Sequence, residues 1–130
     1  MRVIIDATGA SNEYSKHQYL RDKGIQVKVE NWGGKMHMKS VIIDAKDIIV
    51  GSMNWTSAGE SKNDENTLLI RNSDDAIAYK DFFEELWVSI PKKWLHQDPR
   101  PESRESIFSC SDKIDNDFDR SVDLHDSSCR

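Results

Sequence analysis

Five short runs rich in β-branched and other apolar residues constrain this chain most, because each has the length and composition of a β-strand. Glycine, asparagine, aspartate and serine, which favour turns, lie between them. The runs cover residues 2–6, 25–29, 38–44, 48–52 and 66–70. With 130 residues in all, the chain is expected to form one domain around a β-sheet, with an appended segment.

Two further segments have helical patterns. One follows the first run and begins with polar residues suited to a helix N-cap. The other follows the fifth run, carries apolar residues at three- and four-residue spacing, and is ended by a proline. The expected helices run from Ser11 or Asn12 to Lys23 and from Ser73 or Asp74 to Val88.

The resulting order, β-α-β-β-β-β-α, predicts the α/β fold class, with a mixed β-sheet flanked by helices. No helix precedes the first strand, and two helices are few for covering both faces of an apolar sheet. We therefore expect a domain that is incomplete at its N-terminus, or one that buries a sheet face against another subunit.

Charge is distributed unevenly along the chain. Residues 1–95 hold 14 acidic and 13 basic side chains, whereas residues 96–130 hold nine and five. Together with two prolines after position 96, this predicts a main domain at residues 1–95, a linker at 96–109 and an acidic tail at 110–130. The nearly balanced main domain neither demands nor excludes a phosphate-rich ligand. No stretch has the length and apolarity of a transmembrane helix.

Polar side chains interrupt the third and fourth apolar runs at regular spacing. His37 and Lys39 would lie on one face of a strand, roughly 7 Å apart. An imidazole beside an ammonium group is a poor structural pair, but it suits a nucleophile or proton carrier next to a phosphate-binding charge. Ser52 and Asn54 alternate in the same way, and Glu65 follows as a hydrogen-bond partner for the imidazole. We expect these five residues to form an anion pocket.

These residues resemble a known motif. The stretch HMKSVIID at 37–44, followed by GSMN at 51–54, is similar to the His-x-Lys-x4-Asp and Gly-Ser-x-Asn signature of the phospholipase D superfamily, the HKD motif. Glu65 matches the glutamate that orients the histidine in that family. The resemblance extends over about residues 1–90. The chain resembles the small single-motif bacterial endonuclease-type members, or the C-terminal half of a two-motif member.

The resemblance implies a phosphodiesterase or hydrolase that needs no cofactor for catalysis. One histidine attacks phosphorus to form a phosphohistidine, while the histidine of a second motif copy protonates the leaving oxygen. It implies that His37 is nucleophile or acid, and that Lys39, Ser52 and Asn54 bind phosphate. Asp44 belongs to the motif, but its odd spacing from His37 puts it on the opposite strand face, which favours a structural role. Because the chain has one motif, a homodimer partner or a missing half must supply the second.

Three functions remain open. The first is hydrolysis of a phosphodiester bond in a phospholipid or nucleic acid, and lipid degradation is one form of it. The second is a phosphatidyltransferase of the cardiolipin-synthase kind, in which a lipid alcohol resolves the same intermediate. The third is an inactive half-domain or a calcium-binding interaction module.

The acidic tail has a pattern of its own. Oxygen-bearing side chains recur at positions 1, 3, 5, 7, 9 and 12 of a twelve-residue segment, which is the ligand spacing of a calcium loop. Position 6, where such loops need glycine for a sharp turn, is Arg120. The segment also resembles the Cys-flanked, Asp-rich calcium-binding repeats of extracellular bacterial proteins. The candidate calcium ligands are Asp115, Asp117, Asp119, Asp123 and Asp126.

The two cysteines of the chain, Cys110 and Cys129, flank this acidic segment. A pair 19 residues apart can form a disulfide, and free thiols are the alternative. A disulfide and a calcium loop both favour a secreted or periplasmic protein. Residues 1–6 are strand-like and too short for a signal peptide.

Overall fold

The computed structural model describes residues 1–130 as an α/β protein with five strands and four α-helices. The chain divides into two compact units, one of residues 1–36 with 89–130 and the other of residues 37–88. The elements are β1 (Arg2–Ile5), α1 (Ala7–Ser11), α2 (His17–Asp22), β2 (Gln26–Val29), β3 (Ser40–Ile43), β4 (Asp47–Gly51), α3 (Ser57–Ser61), β5 (Thr67–Arg71) and α4 (Ser73–Ser89).

The first unit contains a parallel pair of strands, β1 and β2, joined through α1 and α2. Val27 and Val29 of β2 are fully buried. Val29 packs with Ala7 and Ala10 of α1, which place small side chains where the helix approaches the strand. The first and second apolar runs of the sequence form these two strands.

The second unit contains an antiparallel sheet with the order β3-β4-β5. Ser40 of β3 lies opposite Val50 of β4, and Gly51 of β4 lies opposite Thr67 of β5. Ile48 on the central strand is fully buried, as expected for an apolar residue flanked by strands on both sides. The long helix α4 follows β5.

The predicted fold class is confirmed, with two differences in the elements. The expected single sheet is two separate sheets, because residues 30–39 form a loop between β2 and β3. The amides of Gly33 and Gly34 in this loop donate to the carbonyl of Ile107 and the side chain of Asn116, so the loop pairs with the C-terminal segment. The strand expected from residue 38 accordingly begins at Ser40.

The first expected helix is instead two short helices. Asp6, and neither Ser11 nor Asn12, caps α1 by accepting a hydrogen bond from the amide of Gly9 at 2.9 Å. The Asn12 side chain accepts from the amide of Tyr14 instead, which forms a turn and separates α1 from α2. The second expected helix is confirmed, although Asn72 rather than Ser73 supplies the capping oxygen.

The C-terminal segment is packed within the first unit. The Ile107 amide donates to the carbonyl of Asn31 at 2.6 Å, and Trp32 and Ile107 form a short parallel bridge. Cys110 and Cys129 form a disulfide with their Cα atoms 5.7 Å apart, as the sequence suggested. The division at residues 95 and 109 remains a prediction, and the structure groups residues 89–130 with residues 1–36.

None of the helices combines the length and the apolar character needed to span a bilayer.

Candidate active site

Three segments meet at one end of the β3-β4-β5 sheet. The pairing of Ser40 with Val50 and of Gly51 with Thr67 fixes this arrangement. Residues 37–39 lie just before β3, residues 52–54 just after β4, and residues 63–66 just before β5. The register therefore brings the segments of His37, Ser52, Asn54 and Glu65 to a common edge, as the sequence predicted.

His37 and Lys39 precede the strand on which they were expected. His37 is exposed and Lys39 is half-buried. The Lys39 ammonium donates to the backbone carbonyl of His37 at 2.8 Å, which holds the positive charge close to the histidine. The expectation that both residues lie on a buried strand is wrong, and the imidazole is open to solvent and to a substrate.

Glu65 is held by two side chains within the same unit. The Ser52 hydroxyl donates a short hydrogen bond to Glu65 Oε2, and the Asn63 amide donates to Oε1 at 3.0 Å. Ser52 Oγ in turn accepts from the amide of Asn66 at 3.1 Å. The hydrogen bond from Ser52 lowers the pKa of Glu65 most, and the hydrogen bond from Asn63 lowers it further. Desolvation opposes these two, and the charge of Lys39 also lowers the pKa. Glu65 is therefore a fixed carboxylate.

Glu65 was expected to orient the imidazole of His37. In the structure its two oxygens are engaged by Ser52 and Asn63. The orienting role stays a prediction.

Two glycines allow the backbone of this edge to close. A Cβ on Gly51 would lie 2.1 Å from the carbonyl oxygen of Asn66, and one on Gly59 would lie 2.2 Å from that of Asn54. Gly59 lies within α3, whose N-cap is Thr56. The position of the exposed Asn54 thus depends on a glycine that the motif does not include.

Asp44 lies away from the other motif residues. It occupies the turn between β3 and β4, where Asp44 and Ala45 both have a φ of 52° and the Lys46 amide donates to the carbonyl of Ile43 at 3.0 Å. Positive φ at both central positions is typical of the turns that match the twist of a hairpin. This is the opposite end of β3 from His37, which favours the structural role.

An open depression and a small apolar pocket adjoin the motif. The depression is lined by Ser52, Glu65 and their neighbours Asn63, Asp64 and Asn66. The pocket, of about 140 Å³, is lined by Lys39, Ile49, Val50, Gly51, Met53, Trp55 and Thr67. Sequence reasoning missed Asn63 and Asn66, although both flank Glu65 in the run NDEN and carry amide donors.

Acidic residues of the C-terminal segment form a second cluster. Carboxylate oxygens lie within 4.8 Å of one another in two groups, Glu102 with Asp115 and Asp117, and Asp117 with Asp119 and Asp126. Desolvation, followed by the charges of neighbouring aspartates, raises the pKa of Asp117 against a backbone hydrogen bond that lowers it. Four of the five predicted calcium ligands are in this cluster.

The cluster differs from the predicted ligand set at two residues, Asp123 and Glu102. Asp123 is outside both groups, and its side chain accepts from the amide of Lys113 at 3.3 Å. Glu102, in the expected linker, is fully buried and belongs to the cluster. Glu102 lies 13 residues before Asp115 and so outside the twelve-residue ligand pattern, which therefore did not include it.

Comparisons with known proteins identify relatives for most of the chain. The family model described as "Cardiolipin synthase, PLD-like domain" matches residues 1–87. Mitochondrial cardiolipin hydrolase of Mus musculus is 36% identical over 95 residues, which are 72% of this chain and 43% of that protein. Phospholipase D of Rickettsia conorii is 33% identical over 79 residues, which are 61% of this chain and 40% of that protein.

A solved structure shares the fold. The crystal structure of Nuc from Salmonella typhimurium, described as a phospholipase D family member, has a TM-score of 0.66 and 26% sequence identity, covering 76% of this chain and 63% of that one. The chain spans less than half the length of the curated relatives named above. The family match covers the segments that carry His37, Lys39, Ser52, Asn54 and Glu65. The chain belongs to the phospholipase D superfamily.

Proposed function

We propose that this chain is the motif-bearing part of a phosphodiesterase that hydrolyses phosphodiester bonds. The observation that supports this most is the meeting of three segments at one sheet end, which carry an exposed His37, the cation of Lys39, and the Ser52–Glu65 pair. An anion at this edge would meet an ammonium group and the amide donors of Asn54. The bacterial and mammalian relatives named above are a phospholipase D and a cardiolipin hydrolase.

The proposed reaction has two steps. In the first, an imidazole nitrogen of His37 attacks phosphorus, the bond from phosphorus to the leaving oxygen breaks, and that oxygen takes a proton from a second histidine. In the second, water attacks the phosphohistidine, gives its proton to the second histidine, and releases a phosphomonoester and free His37. Lys39 and Asn54 stabilise the charge on the phosphoryl oxygens, which is greatest in the transition state.

The second histidine would come from another copy of the motif. This chain contains one copy of the motif, at His37 and Lys39, so the proposed reaction requires a homodimer or a second motif-bearing half. The edge strand β5 offers a surface of suitable character, since Leu68 is 59% and Leu69 is 55% exposed. Adjacent strand residues point to opposite faces, so both faces of this edge carry an uncovered leucine. Such apolar exposure favours a contact with further protein.

Hydrolysis of bis(p-nitrophenyl) phosphate in EDTA tests the activity, because the proposed chemistry uses histidine and no metal ion. Wild-type protein should release p-nitrophenol, and His37→Ala should lose at least about a thousandfold in rate, as expected for a missing nucleophile. His96→Ala is the matched control, since His96 is also exposed and lacks a lysine two residues on. Equal rates for the two variants would refute the role of His37.

The physiological substrate is a phospholipid or a nucleic acid. Parallel assays with cardiolipin vesicles and with single-stranded DNA distinguish these, because the products are phosphatidic acid in one case and shortened oligonucleotides in the other. The description of the matching family model names cardiolipin synthase, which supports phosphatidyl transfer as a second function. Vesicles of phosphatidylglycerol alone test it, because transfer of a phosphatidyl group between two of these molecules gives cardiolipin and glycerol, whereas hydrolysis gives phosphatidic acid and glycerol. Cardiolipin as a product would favour transfer, and phosphatidic acid alone would favour hydrolysis.

A further inference from the structure

We propose that Glu102 completes a calcium centre with Asp115, Asp117, Asp119 and Asp126, and that calcium fixes the C-terminal segment in its packed position. This site is separate from the phosphodiesterase residues and does not depend on their function. The predicted ligand Asp123 is not part of it.

Two groups of three carboxylates, which share Asp117, each bring their oxygens close enough together for a cation site. One oxygen each from Glu102, Asp115 and Asp117 lies within 4.8 Å of the others, and the same is true of Asp117, Asp119 and Asp126. Asp117 belongs to both groups and so lies at the centre of the cluster. Oxygens about 2.4 Å from a common calcium ion would have separations within this range.

Two of these carboxylates, Asp115 and Asp126, each have one buried oxygen without a hydrogen-bond partner. Asp126 is 1% exposed, and its Oδ2 atom is buried with no hydrogen-bond partner. Asp115 Oδ1 is in the same condition. A buried carboxylate oxygen without a donor or counter-ion is costly, because it has lost its hydration and gained nothing in return. Cation binding within the cluster would supply the missing counter-charge.

No side chain donates a hydrogen bond to Asp115 Oδ1 or Asp126 Oδ2. The ion pairs formed elsewhere in this unit, Arg21 with Asp98 and Lys93 with Glu105, involve other carboxylates. Two adjoining groups of carboxylates with one shared member favour calcium, which takes six to eight oxygen ligands in flexible geometry. Magnesium prefers to keep several waters and demands strict octahedral geometry, so a dense set of protein ligands favours calcium.

Glu102 connects this centre to the rest of the unit. Its carboxylate accepts hydrogen bonds from the amides of Asn116 and Asp123, so it holds the loop that carries the aspartates. Asn116 lies between two of the ligands, and its side chain accepts from the amide of Gly34 at 2.9 Å. Its carbonyl accepts from the hydroxyl of Thr8 at 2.8 Å. Fixing the aspartate loop would therefore also fix Asn116 against α1 and the Gly33–Gly34 loop.

Calorimetric titration of the full, disulfide-intact chain with CaCl₂ and MgCl₂ tests the proposal. Wild-type protein should bind calcium with a Kd of about 1 mM or tighter, and magnesium at least about tenfold more weakly. Glu102→Gln should weaken calcium binding at least about tenfold, and so should Asp119→Asn. Asp119 is exposed, so its variant keeps the test valid if replacing the buried Glu102 prevents folding. Asp123→Asn removes the same charge and should bind within about threefold of wild type.

Hydrogen exchange gives an independent readout. Calcium should slow exchange at the Gly34 amide as well as in residues 112–126, and this protection should be lost in the Asp119→Asn variant. No calcium binding at about 10 mM, or equal binding of both metals, would overturn the calcium assignment. Loss of binding in Asp123→Asn with full binding in Glu102→Gln would overturn the ligand set and restore the one predicted from the sequence.

Discussion

The substitution Gly51→Ala tests how closely β4 and β5 approach at the active-site edge. A Cβ at this position would lie 2.1 Å from the carbonyl oxygen of Asn66 and 2.9 Å from the Cα of Thr67. Both atoms belong to the backbone, so neither can rotate away as a side chain would. The same carbonyl accepts the amide of Ser52 at 3.1 Å, so moving it also displaces Ser52.

The expected cost follows from this contact. Inserting one carbon against a fixed backbone costs about 1–3 kcal/mol. A unit the size of residues 37–88 loses about 4–8 °C in Tm per kcal/mol, so we expect a fall of roughly 8–16 °C for a cost near 2 kcal/mol. Thermal unfolding followed by circular dichroism measures the shift. Phosphodiesterase activity at a temperature below both transitions should fall as well, because Ser52 and Glu65 move.

Gly9→Ala is the matched control for this substitution. Gly9 lies within α1, and a Cβ there would meet its nearest atoms at 3.8 Å, which is ordinary contact. Alanine is favoured over glycine in a helix by about 0.5–1 kcal/mol, so this variant should be as stable as wild type or more so. If Gly51→Ala melts within a degree of wild type, the close approach of β4 and β5 is refuted.

Three further predictions concern single residues. Ser52→Ala should raise the pKa of Glu65 toward its ordinary value of 4.5, and carbon-13 NMR titration of the carboxylate would detect this rise. Because the native pKa is lowered, the stabilisation from this carboxylate is present above pH 4.5 and is lost as the pH falls through the native pKa. Replacing both Cys110 and Cys129 by serine should destabilise the first unit by about 3 kcal/mol, as expected for opening a loop of this length, and denaturant unfolding with and without reductant measures the change. Arg120→Gly should stabilise the same unit by about 0.5–1 kcal/mol, because Arg120 has a φ of 76°, and an unchanged or lower unfolding midpoint would contradict this.

The active-site edge was predictable because it depends on local spacing. The order of the segments was enough to expect His37, Ser52 and Glu65 close together, whereas the expected two-residue alternation on a strand was wrong for His37 and Lys39, which precede β3. The partners of Glu65 were not predictable in the same way. Ser52 donates to one oxygen of Glu65 and Asn63 to the other because of the shape of the loop before β5, and a linear pattern does not describe that shape.

The fold departed from prediction where long-range contacts decide the local structure. The third strand begins at Ser40, and in the loop before it the amides of Gly33 and Gly34 donate to Ile107 and Asn116, more than 70 residues away. Glu102 was missed for the same reason. Its surroundings of proline and charge indicated a linker, and only the folded chain buries it beside Asp115.

The most direct test of the proposed function is detection of the covalent intermediate. Protein mixed with a phosphodiester substrate, quenched within milliseconds and digested under conditions that preserve phosphohistidine, would be analysed by mass spectrometry. We expect the substrate-derived phosphoryl group on the peptide that contains His37 and on no peptide that contains His96. Rapid hydrolysis with no adduct on His37, or an adduct that persists on the His37→Ala protein, would contradict the account.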